Sequence, residues 1–218
     1  MDNNSSLVCV FCDGRFKVAQ YTKLDESPDG QGSVVWKFFQ DRADIRRLRK
    51  GLEYIRILSR DRHQQRKSID KDLCKVGDIV WDGNIGSVPD RENTTQSEGH
   101  YQGDMSTERD EPSLRDDIGA GILELIAQAT IDKPVNLFRD LDFANSPDCK
   151  WAYVINLDTE MLEVFQGQLP KDWPGTERFQ NVGGENNSVP VFIKSFHLIN
   201  LPRTREEFVG LVNVAAWG

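Results

Sequence analysis

Two short apolar runs joined by an Asp-Gly pair constrain the fold of this chain more than any other feature of its sequence. The first run, LVCVFC, spans residues 7–12, and the second, RFKVAQY, spans residues 15–21. Asp13-Gly14 between them favours a type I′ turn, whose twist matches that of two antiparallel strands. In the second run side chains alternate between an apolar and a mixed face, which is typical of a strand. The sequence therefore predicts an N-terminal β-hairpin.

Three helices are predicted between residues 33 and 130. SVVWKFFQ is predicted as a helix that Ser33 caps and that packs on the sheet. Residues 41–71 are predicted to form a second helical region, because apolar side chains recur there at three- and four-residue spacing. These side chains are Ile45, Leu48, Leu52, Ile55 and Leu58. SLRDDIGAGILELIAQAT, residues 113–130, is predicted as a third helix, capped by Ser113 or Asp116.

The last third of the chain predicts a meander followed by a helix. CKWAYVINLD and MLEVFQG are predicted strands with a turn at Thr159-Glu160, and SVPVFIKSFHL is a third strand. TREEFVGLVNVAAW is a predicted helix capped by Thr204. The sequence therefore predicts one α+β domain over residues 1–218, in which helices pack on a mainly antiparallel sheet.

The segment between the second and third helices has little apolar surface to bury. KVGDIVWDGNIG is predicted as a short strand or buried turn around Trp81. Residues 87–113 that follow are rich in Pro, Gly, Asn, Ser and Glu, and we interpret them as a flexible insertion.

Composition points to a soluble protein of the cytoplasm. The chain has 218 residues and a formal net charge of −8, which argues against a surface that binds nucleic acid over its whole extent. The N-terminus lacks the basic segment of a secretory signal, and no run approaches the roughly 20 apolar residues that cross a bilayer. We therefore expect no membrane association.

The sequence does not predict a metal or cofactor site. Cys9 and Cys12 have a zinc-ligand spacing, but no second pair completes a tetrahedral site, and a strand would point the two thiols to opposite faces. Phosphate-binding and dinucleotide-binding glycine motifs are absent, as is the Gly-x-Ser-x-Gly of many hydrolases. The three histidines have no ligand partner four residues away.

The stretch KVAQYTKLDESPDGQG, residues 17–32, is the best candidate for chemistry. Lys17 and Tyr21 lie four residues apart in the predicted strand and are expected on one face. Carboxylates follow, and a Pro-Asp-Gly turn would hold them in place. Crowded carboxylates can serve as a general acid and base or can bind a guanidinium. The alternative is a surface loop with solvated acids.

A second charged feature lies in the predicted helical region of residues 41–71. Its basic residues include Arg42, Arg46, Arg47, Arg49, Lys50, Arg56 and Arg60. In an acidic protein this cluster is either a solvated helix face with internal ion pairs or a surface for a polyanion. The sequence leaves both interpretations open.

Three blocks of the sequence resemble a family of small fungal and bacterial proteins. Members carry a consensus such as KVAQYGQWDGYPSGQG and a later block such as CEWAYVIDLD-x-x-x-FEVY-x-G; this chain has KVAQYTKLDESPDGQG and CKWAYVINLDTEMLEVFQG. RDDIGAGILELI, from Arg115, matches a further block. The chain departs from the consensus at residues 22–24 and 26–27. The best-defined activity among similar proteins is that of the fungal arginine-containing cyclodipeptide synthases.

This resemblance implies an enzyme of natural product biosynthesis that joins an arginyl and a second aminoacyl group, both from aminoacyl-tRNA, into a diketopiperazine. The reaction is acyl transfer without a metal or cofactor, and it needs a base and donors for the oxyanion. The implied catalytic residues are Lys17, Tyr21, Asp25 and Gln31. Those implied to bind substrate are Gln20, Ser27, Asp29, Ser33, Asp116, Asp117 and Trp151, with Ser27 and Ser33 as possible nucleophiles.

The basic cluster is then the expected contact for the tRNA phosphates. Two other functions fit the sequence. An N-terminal-nucleophile amide hydrolase would require cleavage of the chain before Cys9, in the first strand of the hairpin. A non-enzymatic interaction module would use the basic helix as its contact surface.

Overall fold

The computed structural model is organised around a five-stranded sheet with the strand order β2-β1-β5-β6-β7. It describes residues 5–23, 25–58, 111–184 and 186–217. The strands are β1 (Ser5–Cys12), β2 (Arg15–Thr22), β3 (Ile55–Ile57), β4 (Val135–Leu137), β5 (Cys149–Asn156), β6 (Met161–Pro170) and β7 (Ser188–His197). All neighbours in this sheet are antiparallel except β1 and β5, which pair in parallel. The predicted α+β fold with a mainly antiparallel sheet is confirmed.

Four α-helices accompany the sheet in the described residues. They are α1 (Ser33–Phe38), α2 (Arg42–Gly51), α3 (Ile122–Ala127) and α4 (Arg205–Trp217). A π-helical turn, Pro28–Gly32, leads into α1, and a 3₁₀ turn, Gly119–Gly121, leads into α3. Among these helices none has both the length and the apolar character needed to cross a membrane.

The sheet separates two hydrophobic clusters. On one side, here called the helix face, Val8, Val10 and Tyr153 pack with residues of all four helices. On the other side, here called the loop face, Leu7 and Cys9 belong to a cluster that takes in Ala144, Phe179 and Val182 from the connecting segments. β1, β5 and β6 have neighbours on both edges of the sheet, and β1 and β5 contribute fully buried residues to both clusters.

The hairpin forms as predicted. Asp13 and Gly14 both have positive φ, at 52° and 68°, which is the conformation that a type I′ turn requires. The prediction that the two nearby thiols diverge is also confirmed, because Cys9 lies on the loop face and Cys12 on the helix face. Burial raises the pKa of Cys9 well above its ordinary value and that of Cys149 to about 12, so both remain thiols at neutral pH.

The second predicted helical region is wrong in extent. Helix α2 ends at Gly51, a 3₁₀ turn follows, and Ile55–Ile57 form β3, which pairs in parallel with β4. β-branched residues favour this extended conformation, and the pairing with a segment about 80 residues away outweighs the helical spacing. Residues 59–71 of the prediction lie outside the described residues.

The prediction for residues 113–130 is also wrong in extent, since α3 begins only at Ile122. Gly119 has a φ of +49°, which interrupts any helix that starts earlier. In addition, Ser33 does not cap α1. Gly32 precedes the helix, and the Ser33 hydroxyl donates a hydrogen bond to the Pro28 carbonyl.

The last third of the chain matches its prediction. Strands β5 and β6 are joined by a turn that includes Thr159 and Glu160, β7 follows, and the Thr204 hydroxyl accepts a hydrogen bond from the Glu207 amide at the start of α4. Residues up to Leu58 and from Pro112 onward form one compact unit. The strand or turn around Trp81 and the insertion up to residue 110 lie outside the described residues, so the single domain over 1–218 stays a prediction.

Candidate functional site

The Pro-Asp-Gly sequence of the candidate stretch folds into a π-helical turn that its own polar groups hold together. The Ser27 side chain accepts a hydrogen bond from the Gly30 amide at 3.1 Å. The Asp25 carbonyl accepts from the Gln31 amide at 2.9 Å, and the Ser27 carbonyl accepts from the Gly32 amide at 3.2 Å. The Asp25 carboxylate accepts from the Ser27 amide at 3.1 Å. These contacts fix Asp25 at the edge of the turn.

Gln31 connects this turn to the segment that precedes α3. Its side chain is 5% exposed, and Oε1 accepts a hydrogen bond from the Ala120 amide at 2.7 Å. A Cβ at Gly119 would overlap Oε1, so the absence of a side chain there allows the close approach. Gln31 thus pairs a backbone N–H that would otherwise be buried without a partner.

Tyr153 of β5 connects the turn to the centre of the sheet. Its hydroxyl donates a hydrogen bond to the Glu26 carbonyl at 2.9 Å. The ring is fully buried and stacks on Trp151, with 6.3 Å between ring centroids. Burial, and then the charges of Asp25 and Glu26, raise the pKa of Tyr153 well above its ordinary value. Tyr153 therefore remains a hydrogen-bond donor.

Arg205, the first residue of α4, binds the other side of the turn. Its Nε donates to the Ser33 hydroxyl at 3.1 Å, and its terminal nitrogen donates to the Asp29 carbonyl at 2.9 Å. An ion pair of 2.8 Å joins the guanidinium to the Asp29 carboxylate. The Ser33 hydroxyl thus accepts a hydrogen bond from Arg205 while it donates one to the Pro28 carbonyl.

We call this arrangement the turn site and define it as Asp25 to Ser33 together with Ala120, Tyr153 and Arg205. It brings together several residues that the sequence predicts for function: Asp25, Ser27, Asp29, Gln31, Ser33 and Trp151. The Asp116 carbonyl accepts a hydrogen bond from the Lys23 amide at 3.4 Å, two residues before the turn site begins. The Asp117 carboxylate is exposed and pairs with Arg115.

Three other predicted residues lie along β2 and not in the turn. Lys17 forms an ion pair of 2.8 Å with Asp13 of the hairpin turn. Tyr21 instead packs edge-on against Phe143, with 4.4 Å between the ring centroids. Lys17 is itself the extra residue of a bulge, because Val10 pairs with Val18 and the next residue of β1 pairs with Phe16. The two side chains therefore make separate contacts, and the expectation that they act together lacks support.

Gln20 is the third of these residues, and it faces the interior. It is 4% exposed, and its Nε2 donates to the Tyr21 carbonyl at 3.2 Å. Within the described part of the chain its Oε1 has no hydrogen-bond partner, and neither has the buried Ser6 hydroxyl on the adjacent strand.

Sequence reasoning missed Tyr153, Ala120 and Arg205. Tyr153 stands two residues from Trp151 within a block that carries the resemblance, so its position in that block was an available signal. Ala120 contributes only a backbone N–H, and Arg205 is one of many surface arginines in the sequence. Neither residue lies in a sequence pattern that indicates a functional role.

The basic residues of the predicted RNA surface divide into two groups. Three have local partners: Arg42 donates to the Ile199 carbonyl, Arg47 pairs with Asp44, and Arg49 donates to the Leu157 carbonyl. Arg46, Lys50 and Arg56 are exposed and make no ion pair with any residue that the structure describes. Arg60 lies outside the described residues.

One group of side chains in the described ranges has the composition of a metal site. The Cys12 sulfur and carboxylate oxygens of Asp13 and Asp158 lie within 4.8 Å of one another. Both Asp158 oxygens already accept hydrogen bonds, at 2.9 Å, from the Asp13 and Gly14 amides. Asp13 in turn pairs with Lys17, which lowers the pKa of its carboxyl. These contacts serve to hold the hairpin turn.

The geometry of β1 also bears on the amide hydrolase alternative. Cys9 lies in the middle of β1, is fully buried and pairs with Ala19 and Val154 on the neighbouring strands. Cleavage before Cys9 would remove residues 5–8, which pair with both β2 and β5. The burial and the pairing therefore disfavour Cys9 as an exposed N-terminal nucleophile.

Comparisons with known proteins do not identify a relative: no family model matches the chain, and neither a curated protein nor a solved structure shows significant similarity to it.

Proposed function

We propose that this protein is a tRNA-dependent cyclodipeptide synthase that joins an arginyl group and a second aminoacyl group into a diketopiperazine. The observation that carries the proposal is the meeting of the three resembling blocks. Gln31 of the first block binds Ala120 of the second, and the Glu26 carbonyl of the first accepts a hydrogen bond from Tyr153 of the third. Segments that lie about 90 and 130 residues away in sequence thus form one hydrogen-bonded unit.

The charges at the turn site suit an arginyl substrate. Asp25 is exposed at the edge of the turn, and its carboxylate accepts one hydrogen bond from the Ser27 amide. Asp29, which Arg205 already binds, shows that a guanidinium fits against this turn. Carboxylates bind guanidinium groups through paired, charge-assisted hydrogen bonds. Asp25 is accordingly the residue we assign to the arginyl side chain.

The reaction needs two successive acyl transfers. The amine of one aminoacyl group attacks the ester carbonyl of the other, which forms an amide and releases the first tRNA through its ribose oxygen. The second amine then attacks the remaining ester, closes the ring and releases the second tRNA. If the first aminoacyl group is transferred to the protein, Ser33 is the acceptor, because Arg205 contacts its hydroxyl.

The direct test is incubation of the purified protein with arginyl-tRNA and a mixture of other aminoacyl-tRNAs, followed by mass spectrometry. We expect the mass of an arginine-containing diketopiperazine, and loss of most of that product in Asp25→Asn. The matched control is Asp148→Asn, an exposed aspartate away from the turn, which should keep full activity. If the wild-type protein forms no such product with any mixture, the proposal is wrong.

The three exposed basic residues that make no ion pair with a described residue predict how RNA binds. Reversing Arg46, Lys50 and Arg56 to glutamate should weaken tRNA binding and reduce the slope of log K against log salt by about 2 to 3, because each phosphate contact releases close to one counterion. Fluorescence anisotropy over a range of salt concentrations measures both quantities.

The control for that experiment reverses three other exposed basic residues, Lys133, Arg139 and Arg203, so that the change in net charge is the same. This control should leave the salt slope close to that of the wild-type protein. Equal losses in the two triple variants would mean that overall charge, and not the α2 surface, governs binding.

A further inference from the structure

A cleft of about 340 Å³ opens on the loop face of the sheet, separate from the turn site. It lies between β6, β7 and the segment of residues 175–178. Its lining residues are Glu163, Phe165, Gly175, Glu177, Arg178 and Phe192. A volume of this size is sufficient for a small organic molecule.

Arg178 is held at one side of the cleft by several partners. Its Nε and a terminal nitrogen donate to the two Glu163 oxygens at 2.9 and 2.6 Å. Asn156 donates a further hydrogen bond to Glu163 at 2.8 Å, and the guanidinium lies 4.5 Å from the centroid of the Phe11 ring. The charge of Arg178 is therefore neutralised inside the protein, which makes it a poor receptor for an anion.

Glu177 supplies the negative charge of the cleft that Arg178 does not neutralise. Its side chain is exposed, accepts a hydrogen bond from the Gly175 amide at 3.1 Å and forms no ion pair with a described residue. Backbone hydrogen bonds, from its own amide and then from Gly175, lower the pKa of its carboxyl. With two carboxylates and one guanidinium, the lining has a net charge of −1 at neutral pH.

Two aromatic rings form the apolar part of the cleft. Phe165 is 2% exposed, whereas Phe192 is 42% exposed, and their rings meet edge-to-face at 5.7 Å. The Phe192 amide donates to the Gly175 carbonyl at 2.7 Å, so the segment that carries Glu177 is attached to β7 beside the exposed ring. The backbone segments that carry the carboxylate and the ring are thus joined at the edge of the cleft.

We propose that this cleft binds a small organic cation, in which a guanidinium, amidinium or ammonium group is joined to an apolar body. Glu177 accepts hydrogen bonds from the cationic group, and the Phe192 ring covers the apolar body. The proposal is independent of acyl transfer at the turn site, because the two places share no residue.

Three probes of nearly the same shape and different charge test the proposal: benzamidine, benzamide and benzoate. Each is titrated into the full-length protein, and binding is followed by isothermal calorimetry and by amide chemical shifts. We expect benzamidine to bind at least about tenfold more tightly than either other probe and to shift the amides of Gly175, Glu177 and Phe192. Equal binding of the three probes, or preferential binding of benzoate, would overturn the proposal.

Variants assign the binding to the cleft. Glu177→Gln should weaken benzamidine binding about tenfold, and Phe192→Ala should weaken it about threefold. Glu206→Gln removes the same charge from the first turn of α4 and should leave binding unchanged. Both cleft residues are exposed, so the variants are expected to fold, which amide spectra verify. Unaltered affinity in a folded Glu177→Gln protein would contradict the assignment.

Discussion

Gly51→Ala is expected to destabilise this protein by about 3 kcal/mol, which is a large part of the stability of a typical domain. Gly51 ends α2 where the helix meets α3, and a Cβ there would overlap the carbonyl oxygen of Ile126. That oxygen belongs to the backbone and accepts a hydrogen bond from the Ala129 amide, so it cannot move without distorting α3. The alanine therefore forces α2 away from its neighbour. Denaturant unfolding measures the loss.

Gly210→Ala is the matched control for this substitution. Gly210 lies inside α4, and no atom lies within 4 Å of the position that its Cβ would take. Because alanine favours helix over glycine, we expect this variant to gain up to about 1 kcal/mol. A Gly51→Ala protein as stable as the wild type would show that α2 and α3 are not packed as described.

Gln31→Met is expected to cost about 2 kcal/mol and to abolish the proposed synthase activity. Methionine has nearly the same length as glutamine, so it fills the space but leaves the Ala120 amide without an acceptor. The loss of this hydrogen bond releases the segment before α3 from the turn that carries Asp25. Denaturant unfolding measures the stability, and amide hydrogen exchange at Ala120 should become faster.

Gln180→Met is the control, because Gln180 is exposed and its replacement should change stability by less than about 0.5 kcal/mol. Slow exchange at Ala120 in the Gln31→Met protein would mean that another group protects the amide, and the role given to Gln31 would then be wrong.

Local signals predicted much of this fold. The Asp13-Gly14 turn fixes the hairpin through the backbone conformation it favours, and Thr204 marks the start of α4 through its hydroxyl. The apolar run WAYVI within the predicted strand CKWAYVINLD is likewise a property of adjacent residues. Each of these signals acts within a few residues, so the sequence displays it directly.

Contacts between distant segments account for what could not be predicted. Ile55–Ile57 leave the helical pattern because they pair with β4, and Gly119 breaks a predicted helix at the place where Gln31 enters. The same holds for the turn site, since Gln31 was predicted while its partner Ala120 was not. The bulge at Lys17 also leaves no sign in the sequence, and it separates two residues that were expected to act together.

The parallel pairing of β1 with β5 has a consequence for the order of events during synthesis. Ser5 pairs with Cys149 and Phe11 with Asn156, so β1 waits during synthesis for a partner made about 145 residues later. At ordinary translation rates of 5–20 residues per second, this delay lasts roughly 7 to 30 seconds. During this delay the edge of β1 that later pairs with β5 is apolar and unpaired. Chaperones bind surfaces of this kind.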